Sequence, residues 1–443
     1  MNGRGLDVLK KAMLLALLLA LLGAARAEGA LCVVTPQLTA LTDASGDVLL
    51  SGEGIGDVFC VREGALYAAG SRGTYRLYDA AGKPVGETVF GMIDDAGDAL
   101  VYRIGRRYGA MDADGAVLLE PEWTQLTPDG AGGWLALDGD PLDDSADEIL
   151  HIDAAGEVRR SGVYTASGLM PVGCGCMPYR TAEGLWGAVD ASGRVAVNPD
   201  WHALGGYEDG LAKATGPDGT GVIDVNGRVV VATVYRWLER SPAMIAALGA
   251  SGLDVYAPDG GKRLFSLPGG DVDVCLAGGM LAVSDGTGTR LYDAEGQMLY
   301  EGGPGMTFAG GCMGQLIACD GAWGEACQWL MNPDGSAASA RVQQLLPLSG
   351  ERYAFLELDG TEYYSAELGR IQTSWDYAHM RYGLMDSLGN ILIPARFREI
   401  RTLGGDRLLL LSEGETVLSD MDGTALKRWV TAQTEAPTGE AGE

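Results

Sequence analysis

The sequence predicts an all-β repeat protein, and three observations support this fold class. A short pattern, an apolar run followed by Asp, two variable residues and Gly, recurs along the 443-residue chain. Glycine accounts for 68 residues, about twice its usual share of roughly 7%, as expected of a chain with many turns. Helical periodicity is absent beyond the N-terminal segment. Because 47% of the residues are hydrophobic, the chain can bury a core, which excludes wholesale disorder.

The N-terminus has the organisation of a secretory signal peptide. Three basic residues precede an apolar run over residues 12–25, and Ala25-Arg26-Ala27 forms an A-x-A cleavage site. A membrane anchor is the alternative, but spanning a bilayer takes about 20 apolar residues and this run is shorter. We therefore expect residues 1–27 to be removed. The mature chain is predicted to be secreted or in the cell envelope, outside the cytoplasmic membrane, with no membrane insertion after cleavage.

Acidic residues dominate the predicted mature chain. The full sequence has 32 basic and 60 acidic residues, and residues 1–27 contain four of the former and one of the latter. The mature balance is therefore 28 against 59, a net charge of −31. Such a surface repels phosphate backbones and anionic headgroups, so we expect no nucleic acid and no membrane surface among its partners. Solubility alone explains the charge, with binding of cationic ligands or calcium as the alternative.

All eight cysteines lie in the mature chain. An even number in an exported protein predicts up to four disulfides, although eight cysteines allow about a hundred pairings. A zinc site is the alternative for the C-G-C pair and for the last three cysteines, but no paired C-x-x-C set is present. The candidate disulfide cysteines are Cys32, Cys60, Cys174, Cys176, Cys275, Cys312, Cys319 and Cys327.

The recurring pattern predicts a repeat of about twelve units. Most steps from one anchor glycine to the next are between 33 and 41 residues, and the exception is a step of 20 from Gly369 to Gly389. Nine clear copies begin with LTDASG at 41–46 and end with LSDMDG at 418–423, and three degenerate copies lie at 256–260, 331–335 and 365–369. In each clear copy, Asp can open a tight turn by accepting backbone N–H groups, and Gly can take the positive φ. One unit is therefore a hairpin with one or two further strands, which fills about 35 residues.

An aromatic residue stands eight positions after the anchor glycine in seven of the twelve copies. Since aromatics are only 7% of the chain, this spacing indicates a real period. We interpret these rings, together with Trp186, as structural residues that fill the space between neighbouring units, with a sugar-stacking platform as the alternative. The seven positions are Phe90, Trp123, Tyr164, Trp201, Tyr235, Tyr377 and Phe397.

The best-preserved copies resemble the WG-repeat proteins, a bacterial family named for a Trp-Gly pair that opens each unit. The segment WGAVDASG from Trp186 to Gly193 is the best match, and similar frames begin at Tyr108-Gly109, Thr220-Gly221 and Tyr382-Gly383. The resemblance covers roughly residues 36–430 and is specific in about four copies. It implies a repetitive β architecture and an extracellular or envelope protein. It implies no shared catalytic activity, so no active-site residue is carried over.

Two tandem β-propellers of six units each are the expected assembly, because propellers typically hold four to eight blades. The first WG-like array would cover residues 28–240 and the second residues 241–430, with a seam from Ser241 to Gly252. One larger closed ring or an open β-hairpin solenoid is the alternative. Residues 431–443 are predicted to be a disordered acidic tail.

No catalytic, cofactor-binding or metal-binding residue can be assigned from motifs. The patterns G-x-S-x-G, H-E-x-x-H and the P-loop are absent, and the chain has only three histidines. The DADG at 112–115 and the DMDG at 420–423 resemble the start of a calcium loop but lack the Glu at its twelfth position, so calcium stays a minor alternative. The acidic stretch 138–148 is interpreted as a solvated loop, with cation binding as its alternative.

These observations favour an exported, non-catalytic repeat scaffold that binds an unknown protein or glycan at the cell surface or outside the cell. Repetition of a small unit builds broad surfaces that loop variation can differentiate. The alternative is an extracellular hydrolase that uses Asp or Glu carboxylates, since the separation of two acids is a property of the folded chain. The ligand and the oligomeric state are left open.

Overall fold

The computed structural model describes residues 30–35, 38–140, 145–269, 271–320, 327–348, 351–365, 370–376, 379–403 and 406–430, with the backbone alone at 313, 327, 361–364 and 370–375. The predicted signal peptide and the predicted acidic tail both lie outside the described residues, as does Tyr377. Within the described part, the chain is built from antiparallel strands, with a single 3-10 turn at Cys312–Gly314.

The strands of the described residues form eleven antiparallel sheets in chain order and one separate hairpin. Sheet 1 holds β1 (Leu31–Val34), β2 (Thr39–Thr42) and β3 (Val48–Leu50); sheet 2 holds β4 (Asp57–Arg62), β5 (Leu66–Ser71), β6 (Thr74–Asp79) and β7 (Pro84–Phe90); sheet 3 holds β8 (Met92–Asp95), β9 (Leu100–Ile104), β10 (Arg107–Met111) and β11 (Val117–Trp123). Sheet 4 holds β12 (Gln125–Pro128), β13 (Trp134–Leu137), β14 (Asp147–Ile152) and β15 (Val158–Thr165); sheet 5 holds β16 (Cys176–Arg180), β17 (Trp186–Asp190) and β18 (Val195–Trp201).

The remaining sheets follow the same meander. Sheet 6 holds β19 (Ala203–Leu204), β20 (Leu211–Thr215), β21 (Thr220–Asp224) and β22 (Val229–Tyr235); sheet 7 holds β23 (Trp237–Arg240), β24 (Ile245–Leu248), β25 (Gly252–Tyr256) and β26 (Arg263–Pro268); sheet 8 holds β27 (Asp273–Ala277), β28 (Met280–Ser284), β29 (Thr289–Tyr292) and β30 (Met298–Gly302). Sheet 9 holds β31 (Thr307–Gly310), β32 (Leu316–Asp320) and β33 (Cys327–Met331); sheet 10 holds β34 (Gln344–Pro347), β35 (Arg352–Glu357), β38 (Arg381–Asp386) and β39 (Ile391–Phe397), with the separate hairpin β36 (Gly360–Ser365) and β37 (Arg370–Trp375); sheet 11 holds β40 (Glu399–Leu403), β41 (Arg407–Leu411), β42 (Glu415–Asp420) and β43 (Ala425–Val430).

The core lies between the sheets, and the sheets close into one ring. Ten hydrophobic clusters each join one sheet to the next, from sheets 1 and 2 through to sheets 10 and 11. Sheet 11 then contacts sheet 1: Arg401 Nη1 donates to the Val34 carbonyl (3.1 Å), and Lys427 Nζ donates to Asp47 Oδ1 (2.7 Å). The molecule is therefore a β-propeller of eleven sheets in a single ring.

The expectation of two tandem propellers is wrong, and the alternative of one large closed ring is confirmed. The proposed seam at Ser241–Gly252 lies inside sheet 7, which packs against sheet 6 through Tyr235 and Leu238 without a break. Twelve anchors correspond to eleven sheets because the degenerate copy at 365–369 is not a unit. Of this copy only Ser365, the last residue of β36, lies within the described residues. The strands β36 and β37 form a hairpin that is inserted between two hydrogen-bonded strands of sheet 10, β35 and β38.

The Asp-x-x-Gly turns have one geometry in all nine clear copies. In each, the Asp Oδ1 accepts the backbone N–H groups two and four residues ahead at 2.7–3.1 Å, and the anchor glycine has a φ between +73° and +87°. The two calcium-like starts, at Asp112 and Asp420, use this carboxylate in the same way as copies that lack the second acid. The turn itself accounts for both sequences.

The Trp-Gly position has a steric explanation. In five sheets the residue four before the turn Asp pairs directly with the repeat aromatic, as Trp186 pairs with Trp201. Beyond this pair the next strand bulges toward the residue that follows the Trp position. At four such glycines, a Cβ would lie only 2.4–2.6 Å from a carbonyl oxygen of that bulged strand, so no larger residue fits. They are Gly109, Gly187, Gly221 and Gly383.

Candidate functional site

The repeat aromatics lie where the sheets meet, with graded burial. Phe90, Tyr235 and Phe397 are buried in the clusters between successive sheets. The tryptophans are half-buried and pack against the edges of such clusters: Trp123 between sheets 3 and 4, and Trp186 and Trp201 between sheets 5 and 6.

Tyr164 departs from this arrangement and is 54% exposed. In the five regular sheets the repeat aromatic pairs with the residue four before the turn Asp, which here would be Ile149. Tyr164 instead pairs with Glu148, which is one residue further from the turn Asp. A slip of one residue turns a strand side chain to the opposite face of the sheet. The interpretation of Tyr164 as a core aromatic is therefore wrong.

No predicted disulfide is present among the seven cysteines whose side chains are described. The side chain of Cys327 lies outside the described part of the structure. Three of the thiols donate to a backbone carbonyl of the next sheet, which explains their positions without a disulfide: Cys176 to Val225, Cys275 to Phe308 and Cys312 to Leu348, at 3.3–3.6 Å.

Cys32 and Cys60 lie on facing sides of sheets 1 and 2. Cys32 packs against the cluster that contains Val58 and Tyr67, and Cys60 is the strand partner of Tyr67. Burial raises the pKa of the Cys32 thiol to about 12, and the neighbouring Cys60 and Asp57 act in the same direction. Cys174 and Cys319 are the remaining cysteines of this described set.

Among the described residues, the histidine–carboxylate pair of His151 and Asp129 is partly buried, and it belongs to a turn. His151 Nε2 lies 3.0 Å from Asp129 Oδ2, while Asp129 Oδ1 accepts the N–H groups of Ala131 and Gly133. Although burial opposes it, these hydrogen bonds hold the pKa of Asp129 below its usual range. The carboxylate thus has the role of the repeat Asp in the other turns, with His151 as an additional partner.

A cleft between sheets 10 and 11 is the strongest candidate site. Its volume is about 500 Å³, and it opens beside the inserted hairpin β36–β37. We call it the arginine cleft, and its lining residues are Asp359, His379, Met380, Arg381, Arg396, Arg398, Ser412, Glu413 and Gly414.

Three arginines of the cleft come together through the register of the repeat. Tyr382 pairs with Phe397, so continuing this register by one residue sets Arg381 beside Arg398, while Arg396 stands on the other side of Phe397. No other sheet with this register has more than one arginine at the three positions. The equivalent residues are Thr74, Val89 and Gly91 in sheet 2; Arg107, Glu122 and Thr124 in sheet 3; Leu185, Asp200 and His202 in sheet 5; and Gly219, Val234 and Arg236 in sheet 6.

The charges of the arginine cleft are only partly balanced. Arg381 Nη2 donates to Asp359 Oδ1 (2.5 Å), and Arg398 Nη1 lies 3.6 Å from Glu413 Oε1. The guanidinium of Arg396 lies 4.9 Å from the centre of the Phe397 ring, and no carboxylate among the described residues forms an ion pair with it. With His379 left out of the count, three arginines against two acids give the lining one net positive charge.

Other chemistry is sparse in the described part of the chain. No group of three or more His, Cys, Asp or Glu side chains there could hold a metal ion. A cavity of about 630 Å³ beside sheets 3 and 4 has a mainly apolar lining that includes Met92, Leu126 and Leu169. Among the described residues, no helix has the length and apolar character needed to cross a membrane.

No local sequence motif marks the arginine cleft. Arg381 and Arg398 are separated by seventeen positions, and only the strand register brings them together. The signal lies in the repeat positions that flank the aromatic residue, where RYGLMD and IPARFREI carry more arginines than the other copies.

Comparisons with known proteins bear on the fold and the repeat. Among solved structures, the chain is similar to a eukaryotic initiation factor (12% identity, 75% of this chain and 85% of that chain covered, TM-score 0.45) and to BamB from Moraxella catarrhalis (15% identity, 61% and 92% covered, TM-score 0.27). It is also similar to Hsv2 from Kluyvelomyces marxianus (9% identity, 76% and 99% covered, TM-score 0.23). No curated protein matches the chain. The family model of the WG containing repeat matches residues 382–404, so the chain contains a WG repeat and its resemblance to the WG-repeat family is confirmed.

Proposed function

We propose that this protein is an exported, non-catalytic WG-repeat scaffold that binds a protein or a glycan outside the cell, and that the arginine cleft is its binding site. The observation that carries the proposal is the combination found in sheet 10. Three arginines occupy repeat positions that carry at most one elsewhere, and they lie beside the only hairpin inserted into a sheet of the described chain. Loops and insertions on a rigid scaffold are common sites of binding.

The chemistry of the cleft supports binding rather than turnover. A guanidinium stays protonated in proteins, so arginine donates hydrogen bonds and positive charge but does not exchange protons in acid–base catalysis. The two acids of the lining, Asp359 and Glu413, each face an arginine. The alternative function, an extracellular hydrolase, would need a pair of acids placed on either side of a bond to be broken.

A capture experiment tests the proposed function. The mature chain, residues 28–443, is immobilised and exposed to secreted and cell-wall components, with and without calcium. We expect saturable capture of one protein or glycan, and we expect R381Q/R396Q/R398Q to lose it. The matched control R107Q/R236Q changes arginines at equivalent repeat positions of sheets 3 and 6 and should capture normally. Turnover of a glycan or peptide library that a single Asp or Glu substitution abolishes would overturn the proposal in favour of the hydrolase.

Export makes a separate prediction about the thiols. An oxidising compartment should join some of the eight cysteines, and the facing positions of Cys32 and Cys60 make this pair the first expected to form a disulfide. Thiol titration of the denatured mature protein, purified from the medium or envelope under non-reducing conditions, should therefore count fewer than eight reactive groups. C32S/C60S should give the same count of reactive thiols as the wild-type protein, because the two cysteines that it removes are already joined in a disulfide. A count of eight for the wild-type protein would contradict the oxidised, exported state.

A further inference from the structure

We propose that the arginine cleft binds a single, isolated carboxylate of its ligand. This inference rests on the proposed function, because it names the chemical group that the scaffold recognises. The lining carries one net positive charge, and the guanidinium of Arg396 has no ion-pair partner among the described residues. A planar carboxylate matches the paired N–H donors of a guanidinium and can accept two parallel hydrogen bonds from it.

The arrangement of the arginines has a cost that an anion would relieve. Like charges that lie close together repel, and Arg381 and Arg398 line the same cleft beside the Tyr382–Phe397 pair. Asp359 and Glu413 balance these two arginines from loop positions, while Arg396 is left with the ring of Phe397. A bound carboxylate adjoining the three guanidinium groups would supply the missing negative charge.

The charge around the cleft favours one carboxylate over a polyanion. Asp359 and Glu413 belong to the lining, Asp376 lies beside it, and the predicted mature chain has a net charge of −31. A run of carboxylates or a dianionic phosphate would extend beyond the single positive charge into this acidic surface. At physiological ionic strength, charges interact over about 8 Å, so an isolated carboxylate in the cleft avoids most of that repulsion.

Paired small probes test this inference. By calorimetry or NMR titration, an N-acetylated dipeptide with a free C-terminal carboxylate is compared with its C-terminal amide, and glucuronate with glucose. We expect at least one acid to bind saturably and about tenfold or more tightly than its neutral partner, since hydrogen bonds to charged groups are the strong ones. The member that binds identifies the source of the carboxylate, peptide or sugar. Inorganic sulfate should bind more weakly than that acid.

Variants localise the binding to the cleft. R396Q/R398Q should weaken the binding of the acid about tenfold or more, and the matched control R107Q/R236Q should leave it within about twofold. Equal binding of acid and neutral partner, tighter binding of sulfate, absence of saturable binding by both acids, or an unchanged affinity in R396Q/R398Q would overturn the inference. The capture experiment separates this inference from the proposed function. If the probes do not bind as expected but R396Q/R398Q fails to capture the partner, the cleft is still the binding site and only the carboxylate is wrong. If R396Q/R398Q also captures the partner normally, the proposed binding site is wrong as well.

The pH dependence gives a second readout. The hydrogen bond between His379 Nδ1 and Asp376 Oδ2 (2.7 Å) raises the pKa of His379, and the charges of Asp376, Glu413 and Asp359 add to this. Arg381, Arg396 and Arg398 complete the charged groups of the cleft. Protonation of His379 adds positive charge while the ligand carboxylate, which titrates near about pH 4, stays ionised. Affinity should therefore rise between about pH 8 and about pH 6, and H379N should remove this rise. The same rise in H379N would contradict binding beside this residue.

Discussion

Phe397→Ala is expected to lower the free energy of unfolding by about 3–5 kcal/mol, the usual cost of deleting a buried aromatic side chain. Phe397 is 1% exposed and packs with Ile393 of its own sheet and with Leu408 and Val417 of sheet 11. Its removal would leave a cavity between two sheets whose backbones are held by their own hydrogen bonds, so the site has little freedom to collapse. The shift of the urea unfolding midpoint measures the effect.

Tyr164→Ala is the matched control, because Tyr164 occupies the same repeat position but is 54% exposed. Its substitution should change the free energy of unfolding by about 0.5 kcal/mol or less, as surface substitutions do. A similar cost for the two variants would mean that the register slip of sheet 4 does not decide burial, and it would restore one common role for all the repeat aromatics.

Gly187→Ala should also destabilise the protein strongly, by about 1–3 kcal/mol, which is the cost of overpacking a tight site. A Cβ at this position would lie 2.6 Å from the Val197 carbonyl oxygen, 3.0 Å from the Pro199 nitrogen and 3.0 Å from the Tyr179 ring. Two of these three contacts are backbone atoms of the bulged strand β18, which cannot rotate away. Thermal and urea unfolding of the variant measure the loss.

Gly206→Ala supplies the comparison for this second prediction. No atom lies within 4 Å of a Cβ built at Gly206, so the same chemical change should leave the stability unaltered or raise it slightly. If Gly187→Ala unfolds together with Gly206→Ala and the wild-type protein, the steric explanation of the Trp-Gly pair fails.

The parts of the fold that depend only on residues close together in the sequence could be predicted from the sequence. Asp190 and Gly193 illustrate this: the turn needs a carboxylate that accepts two nearby N–H groups and a residue that takes a positive φ. Both requirements are local, so the pattern predicted the hairpins, the all-β class and the repeat. Resemblance to the WG-repeat family followed from the same local signals, and the family match at residues 382–404 confirms it.

Candidate site residues were harder to predict, for two physical reasons. The burial of a repeat aromatic depends on strand register, and a slip of one residue at Glu148 turned Tyr164 outward without any change in the spacing of the sequence. The arginine cleft depends on the same register, which pairs Tyr382 with Phe397 and so brings the flanking Arg381 and Arg398 near each other, and on the packing of sheet 11 against sheet 10. Neither the strand register nor the packing between sheets can be predicted from composition or from local motifs.

By itself, the sequence determined that this chain folds as repeated antiparallel sheets joined by Asp-x-x-Gly turns, because each turn is specified within about six residues. Only the tertiary structure decided that the sheets form one ring of eleven rather than two rings of six. Closure depends on contacts between the two ends of the array, such as the hydrogen bond from Lys427 to Asp47. The pattern also counted one unit too many, because a degenerate copy begins at the end of β36 in the inserted hairpin. Each sheet packs only against its two neighbours, so the number of sheets in the ring depends on the geometry of all the interfaces together.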